Sequence, residues 1–123
     1  MPQNEYSATE QPDPVKNETP AVWDLVITDI KFIAHNNPNL QLVIKDMTDR
    51  DQWGELKYKT RLQPFNGRDA LVDFYQELLD SSVYFRQHLY EVGTPSQEDL
   101  EKYHVVLDLI QTYRTRIFER DGK

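Results

Sequence analysis

Four carboxylates fall on one short stretch of the chain, Asp69, Asp73, Glu77 and Asp80, at spacings of four, four and three. On a helix each residue advances ~100°, which places them near ~0°, ~40°, ~80° and ~20°, all within one arc. Tyr84, Gln87 and Glu91 continue that arc, and no lysine or arginine interrupts it. Like charges at these spacings repel, each pair costing roughly a few tenths of a kcal/mol in an isolated helix. A hard cation would turn the repulsion into binding. Mg²⁺, or Mn²⁺ in its place, takes carboxylate oxygens in near-octahedral geometry and keeps waters that a phosphate can replace. The same arc is also what the solvated face of an amphipathic helix carries in an acidic protein.

The loop before this stretch reverses the charge. From Lys57 to Arg68 there are four cations (Lys57, Lys59, Arg61, Arg68) and no acid, in a chain of net charge −7. Phosphate-seeking side chains beside a carboxylate face are what a nucleotide polyphosphate requires. A helix starting at Asn66-Gly67 would add free N–H groups and a dipole favourable to anions. Ion pairing between these cations and surface acids is the plainer reading, and such pairs contribute little. Upstream, Asp46 and Asp49 lie ~60° apart on a helical wheel, so both could face the same neighbour.

These residues need helices to hold them. A length of 123 residues fits one domain, since two would each be too small to bury a useful core. Residues 1–19 are rich in proline and polar residues, with Tyr6 their only aromatic, and read as a disordered acidic tail. Residues 20–123 read as an all-α, four-helix bundle-like domain. The first helix is expected over Ala21 to Ala34, with Thr19 as N-cap and Pro20 in the first turn. The second spans Leu40 to about Tyr58, with Leu42, Val43 and Met47 inward. Trp23 on the first helix and Trp53 on the second lie in apolar, core-like settings. The third runs from Arg68 to about Val92, with Asn66 as candidate N-cap. Its seam of Leu71, Tyr75, Leu78, Ser82, Phe85 and Leu89 alternates spacings of four and three. Gly93-Thr94-Pro95 ends it. Ser96 opens the fourth, with Asp99 placed to complete a capping box and a stripe of Tyr103, Val106, Ile110, Tyr113 and Ile117.

At Glu77-Leu78-Leu79-Asp80, followed by Tyr84 and Phe85, the chain resembles the second carboxylate motif of the MazG-like all-α nucleoside triphosphate pyrophosphohydrolases. In that superfamily a Glu-x-x-Asp helix faces a Glu-x-x-Glu helix across Mg²⁺, and members form dimers or tetramers. The stretch from Arg50 to Gln87 is also similar to small uncharacterised bacterial and phage proteins sharing an Asn-Gly-Arg-Asp-Ala-Leu core like Asn66 to Leu71. The resemblance implies that Glu77 and Asp80, with Asp73 and Asp46 or Asp49, hold Mg²⁺. It further implies that a carboxylate among Asp73, Glu77 and Asp80 orients the attacking water, and that Lys57, Tyr58, Arg61 and Arg68 hold the polyphosphate. The reaction implied converts a nucleoside triphosphate, ribo or deoxy, to its monophosphate and pyrophosphate. Three positions depart from the pattern: Asp46 and Asp49 stand where the family has two glutamates, and Lys59 where the relatives tend to have glycine.

Composition excludes other classes. Zero cysteines remove disulfide scaffolds and thiolate chemistry. The acidic balance opposes duplex nucleic acid as a partner, and no apolar run approaches the roughly 20 residues of a membrane span. His104 and Asp108 are too few for zinc. A cytoplasmic, oligomeric protein is expected, in the host cytoplasm if phage-encoded. The rival to the enzyme is a non-catalytic acidic helical module that binds a protein partner.

Overall fold

The structure is a computed structural model that describes residues 6–7, 10–33 and 36–123. It contains four helices: α1 (Val22–Ile33), α2 (Leu40–Tyr58), α3 (Ala70–Val92) and α4 (Gln97–Asp121). Among the described residues there is no strand, so the all-α expectation holds. No described helix is long and apolar enough to cross a membrane. The chain divides into two compact units. Gln11–Arg68 carries α1 and α2, and Asp69–Lys123 carries α3 and α4 together with Tyr6, Ser7 and Glu10.

In the second unit the 3.6-residue pattern does what it predicts. Leu78 and Leu89 are buried and Leu71, Tyr75, Ser82 and Phe85 half-buried along one side of α3, which packs on α4. The α4 stripe answers it: Tyr103, Val106, Ile110 and Tyr113 are half-buried and Ile117 is fully enclosed. Phe74 meets Tyr113 edge to face with centroids 5.0 Å apart, a favoured aromatic geometry. Tyr6 joins this core. It is buried with Val72 and Ile117, donates its hydroxyl to Asp121 Oδ2 at 2.7 Å, and carries the Arg114 guanidinium over its ring. Residues 1–5, 8–9 and 34–35 lie outside the described residues.

The start of α3 differs from expectation in an instructive way. Asn66 does not cap α3. Gly67 takes φ 86°, a left-handed conformation that a helix cannot contain, so the start moves downstream. Asp69 becomes the N-cap, its Oδ1 accepting from Leu71 N and Val72 N at 3.1 and 3.2 Å. Ser96 caps α4 as expected, accepting from Asp99 N at 3.1 Å.

In the first unit α1 packs on α2, and α2 has the expected bounds. Its inward side differs from the expected one. Leu40 and Asp51 are buried and Val43, Ile44 and Met47 half-buried, whereas Leu42 is 63% exposed and Trp53 52% exposed. Leu42 follows Leu40 by two residues, ~200° round the helix, so burying one turns the other outward. Trp23 is half-buried.

Truncation should separate the two settings. Ile117→Ala is expected to cost about 2–5 kcal/mol through lost contacts and a cavity. Leu42→Ala, on the outer side of α2, should stay within about 0.5 kcal/mol. Urea denaturation followed by circular dichroism reads both.

Candidate functional site

The segment before α1 was expected as tail, and residues 11–19 run instead along the loop 60–68. Composition suggested otherwise because the segment has almost no apolar side chain; it is held by polar bonds. The Gln63 side chain pairs with the backbone of this segment: Asn17 N donates to Gln63 Oε1 at 3.0 Å, and Gln63 Nε2 donates to Asn17 O at 2.7 Å and Thr19 O at 2.8 Å. Asn17 Nδ2 donates to Pro64 O at 2.7 Å and Phe65 O at 3.2 Å. Val15 N donates to Asn66 O at 2.8 Å, and Arg68 Nη1 to Pro12 O at 2.8 Å. Pro12, Pro14 and Pro20 restrict φ along this strap and lower the entropy lost on ordering it. Thr19, the expected N-cap of α1, donates its hydroxyl to Asn17 Oδ1, and α1 opens with Val22 N donating to Leu62 O at 2.8 Å.

The strapped loop presents an aromatic ring. Phe65 has φ 55° and is 91% exposed. A left-handed backbone is uncommon for a bulky residue and costs about 1–2 kcal/mol, and full exposure forgoes the burial that would offset it. Strain of this kind concentrates at binding sites. Sequence reasoning missed Phe65. Its one signal was a large aromatic inside a Pro-Phe-Asn-Gly turn, where polar residues are the rule.

Arg61 anchors the other end of the loop. Its Nε lies 3.2 and 3.0 Å from the two Asp51 oxygens, and Nη2 lies 2.6 Å from Asp51 Oδ2 and 2.7 Å from Asp24 Oδ1, with Nη1 3.1 Å from Asp24 Oδ2. One guanidinium thereby joins α1, α2 and the loop. The hydrogen bonds from Arg61 hold the Asp24 carboxyl below its ordinary range.

The remaining expected site residues fall as follows. Lys57 lies over the rings of Trp53 and Tyr58, 5.2 Å from each centroid, while Arg50 covers Trp53 at 4.8 Å. Asp49 pairs with Lys45 at 2.7 Å, and Asp46 is exposed beside it. On α3, Asp73 is half-buried and Glu77 and Asp80 are exposed. Lys59 ends α2 at φ 65°, so the chain keeps the left-handed turn that glycine adopts without strain. Two of the expected phosphate ligands, Arg61 and Arg68, are engaged in internal bonds. Among the described residues no three His, Asp or Glu side chains group closely enough to hold a metal ion.

No protein-family model, curated protein or solved structure matches the chain.

Arginine–carboxylate bonds give both units an acid sensitivity. In the second unit Arg120 reaches Asp69 Oδ2 and Asp121 Oδ1, each at 2.7 Å. Arg120, and then the Tyr6 hydroxyl, pull Asp121 from near 3.8 down to about 2, and Arg120 also lowers Asp69. A depressed carboxyl stabilises the fold above its unfolded pKa and loses that contribution as pH falls through its folded one. The melting temperature should therefore hold steady above about pH 5 and fall between 3.8 and about 2. Arg120→Gln should lower the plateau and flatten the fall, as followed by thermal melts across that range.

Proposed function

We propose that the chain is a non-catalytic helical interaction module that inserts Phe65 into an apolar pocket of a protein partner. The observation that carries this reading is the combination at Phe65: a strained backbone, a fully presented ring, and a loop held rigid by hydrogen bonds from residues 11–19. Aromatic side chains dominate binding energy at interfaces, and a loop ordered in advance avoids the entropic cost of ordering on contact. The outward Trp53, with Arg50 over its ring, lies in the same unit and suits such a contact, where tryptophan and arginine are enriched.

The test uses the strain itself. Phe65→Gly suits the left-handed backbone, so it should leave stability unchanged or raise it by up to about 1 kcal/mol while removing binding. A photo-crosslinking phenylalanine analogue at position 65, in the full chain expressed in its source cell, should form adducts with a protein, whether another copy or a different chain. The same analogue at the exposed Gln52 should not. Equal adducts from both positions, or none from position 65, would sink the reading.

A second reading keeps the Mg²⁺-dependent nucleoside triphosphate pyrophosphohydrolase, in which Asp73, Glu77 and Asp80 act on a nucleotide. It is favoured by Glu77 and Asp80, which among the described residues form no ion pair although the chain holds seven lysines and seven arginines. Pyrophosphate release from a panel of ribo- and deoxynucleotides with Mg²⁺ or Mn²⁺ should then disappear in Glu77→Gln and in Asp80→Asn. Turnover that survives both substitutions removes these residues from any reaction.

A further inference from the structure

The turn between α3 and α4 opens a groove of about 610 Å³, within the range of small-molecule sites. Its base is apolar, formed by Leu89, 3% exposed, and the half-buried Leu100. Two rings flank it, Tyr90 and Tyr103. Tyr103 is set by Phe85, 5.8 Å away between centroids, and by His104 at 6.1 Å. Arg86, His104, Gly93 and Pro95 complete the lining, and no carboxylate contributes to it. That is unexpected in a chain where acids outnumber lysines and arginines 21 to 14.

Arg86 differs from the other arginines. Arg61 and Arg120 grip carboxylates, and Arg68 donates to backbone carbonyls. Arg50, Arg114 and Arg116 lie over aromatic rings. Arg86, among the described residues, makes no hydrogen bond, ion pair or ring contact. Arg86 is exposed, and a guanidinium recognises carboxylate and phosphate through paired parallel hydrogen bonds.

We propose that this groove binds a small organic anion, a single carboxylate or phosphate group carried on an aromatic or branched aliphatic body. Arg86 takes the charged group with His104 beside it, and the body lies on Leu89 and Leu100 between Tyr90 and Tyr103. The site belongs to the second unit and does not depend on Phe65.

The full-length protein, labelled with ¹⁵N, is titrated with benzoate, with phenyl phosphate and with neutral benzyl alcohol. Saturable shifts of the Leu89, Gly93, Leu100 and Tyr103 amides are expected with at least one anion, and the tighter of the two identifies the charged group. Benzyl alcohol should bind at least tenfold more weakly. Arg86→Gln should weaken the anion at least tenfold with the remaining amide spectrum unchanged, and Leu100→Trp, which fills the groove, should abolish the shifts. Equal binding of the alcohol, an unaltered Arg86→Gln titration, or no saturable shift with either anion would overturn the proposal.

Discussion

The first unit depends on one guanidinium. Arg61 reaches Asp51, ten residues earlier on α2, and Asp24, thirty-seven residues earlier on α1, with distances from 2.6 to 3.2 Å. Asp51 is nearly enclosed, and an enclosed carboxylate is costly unless its charge and lone pairs are satisfied. Arg61 meets that demand from the first residues of the loop, and so fixes where the loop leaves α2. Lysine could not do the same, because its ammonium is a point charge without the planar fork.

From that fixed exit the chain passes through Leu62, whose carbonyl receives Val22 N at the start of α1, to Gln63, which clasps Asn17. Each bond is worth only about 1 kcal/mol net, and the strap works because several of them close over one short loop. The consequence is local rigidity where loops are usually mobile. Phe65 can keep an unfavourable φ only because its neighbours over-determine it, with Pro64 O and Phe65 O both accepting from Asn17. The order of the strap and the strain of the ring are thus one feature seen from two sides.

How much of this could be read from the residues depends on how far apart the interacting partners lie. The seams of α3 and α4 were legible because burial on a helix repeats every three or four residues, and Leu78, Leu89 and Ile117 obey that period. The α2 bounds, expected at Leu40 and about Tyr58, are the observed ones. Its inward side was not legible, since Leu40 and Leu42 offer the same hydrophobicity and only packing chooses between them. The strap left no periodic trace: Asn17 and Gln63 are 46 positions apart, and both look like surface residues. Tyr6 was hidden for the same reason, its hydroxyl partner Asp121 lying 115 positions away. For the candidate site, the cations of the loop were visible but their employment was not. Arg61 and Arg68 read as phosphate ligands or as partners of surface acids, and only the geometry shows that Arg61 joins two helices to the loop and that Arg68 bonds backbone carbonyls.

The acidic arc on α3 changes meaning for similar reasons. Taken as four carboxylates it asks for a cation, because mutual repulsion has to be compensated. Asp69, however, is the N-cap of α3 and is gripped by Arg120. Asp73 sits in the first turn, where the helix dipole favours negative charge by roughly 0.3–1 kcal/mol. Both therefore have structural reasons for being acids, and those reasons outweigh a repulsion of roughly a few tenths of a kcal/mol per pair. Glu77 and Asp80 lie beyond the reach of the dipole and have no such support among the described residues. The charge that needs a functional explanation contracts from a four-residue wedge to this one pair, three residues apart on α3, while on the same helix Arg86 is the cation left without a counterpart.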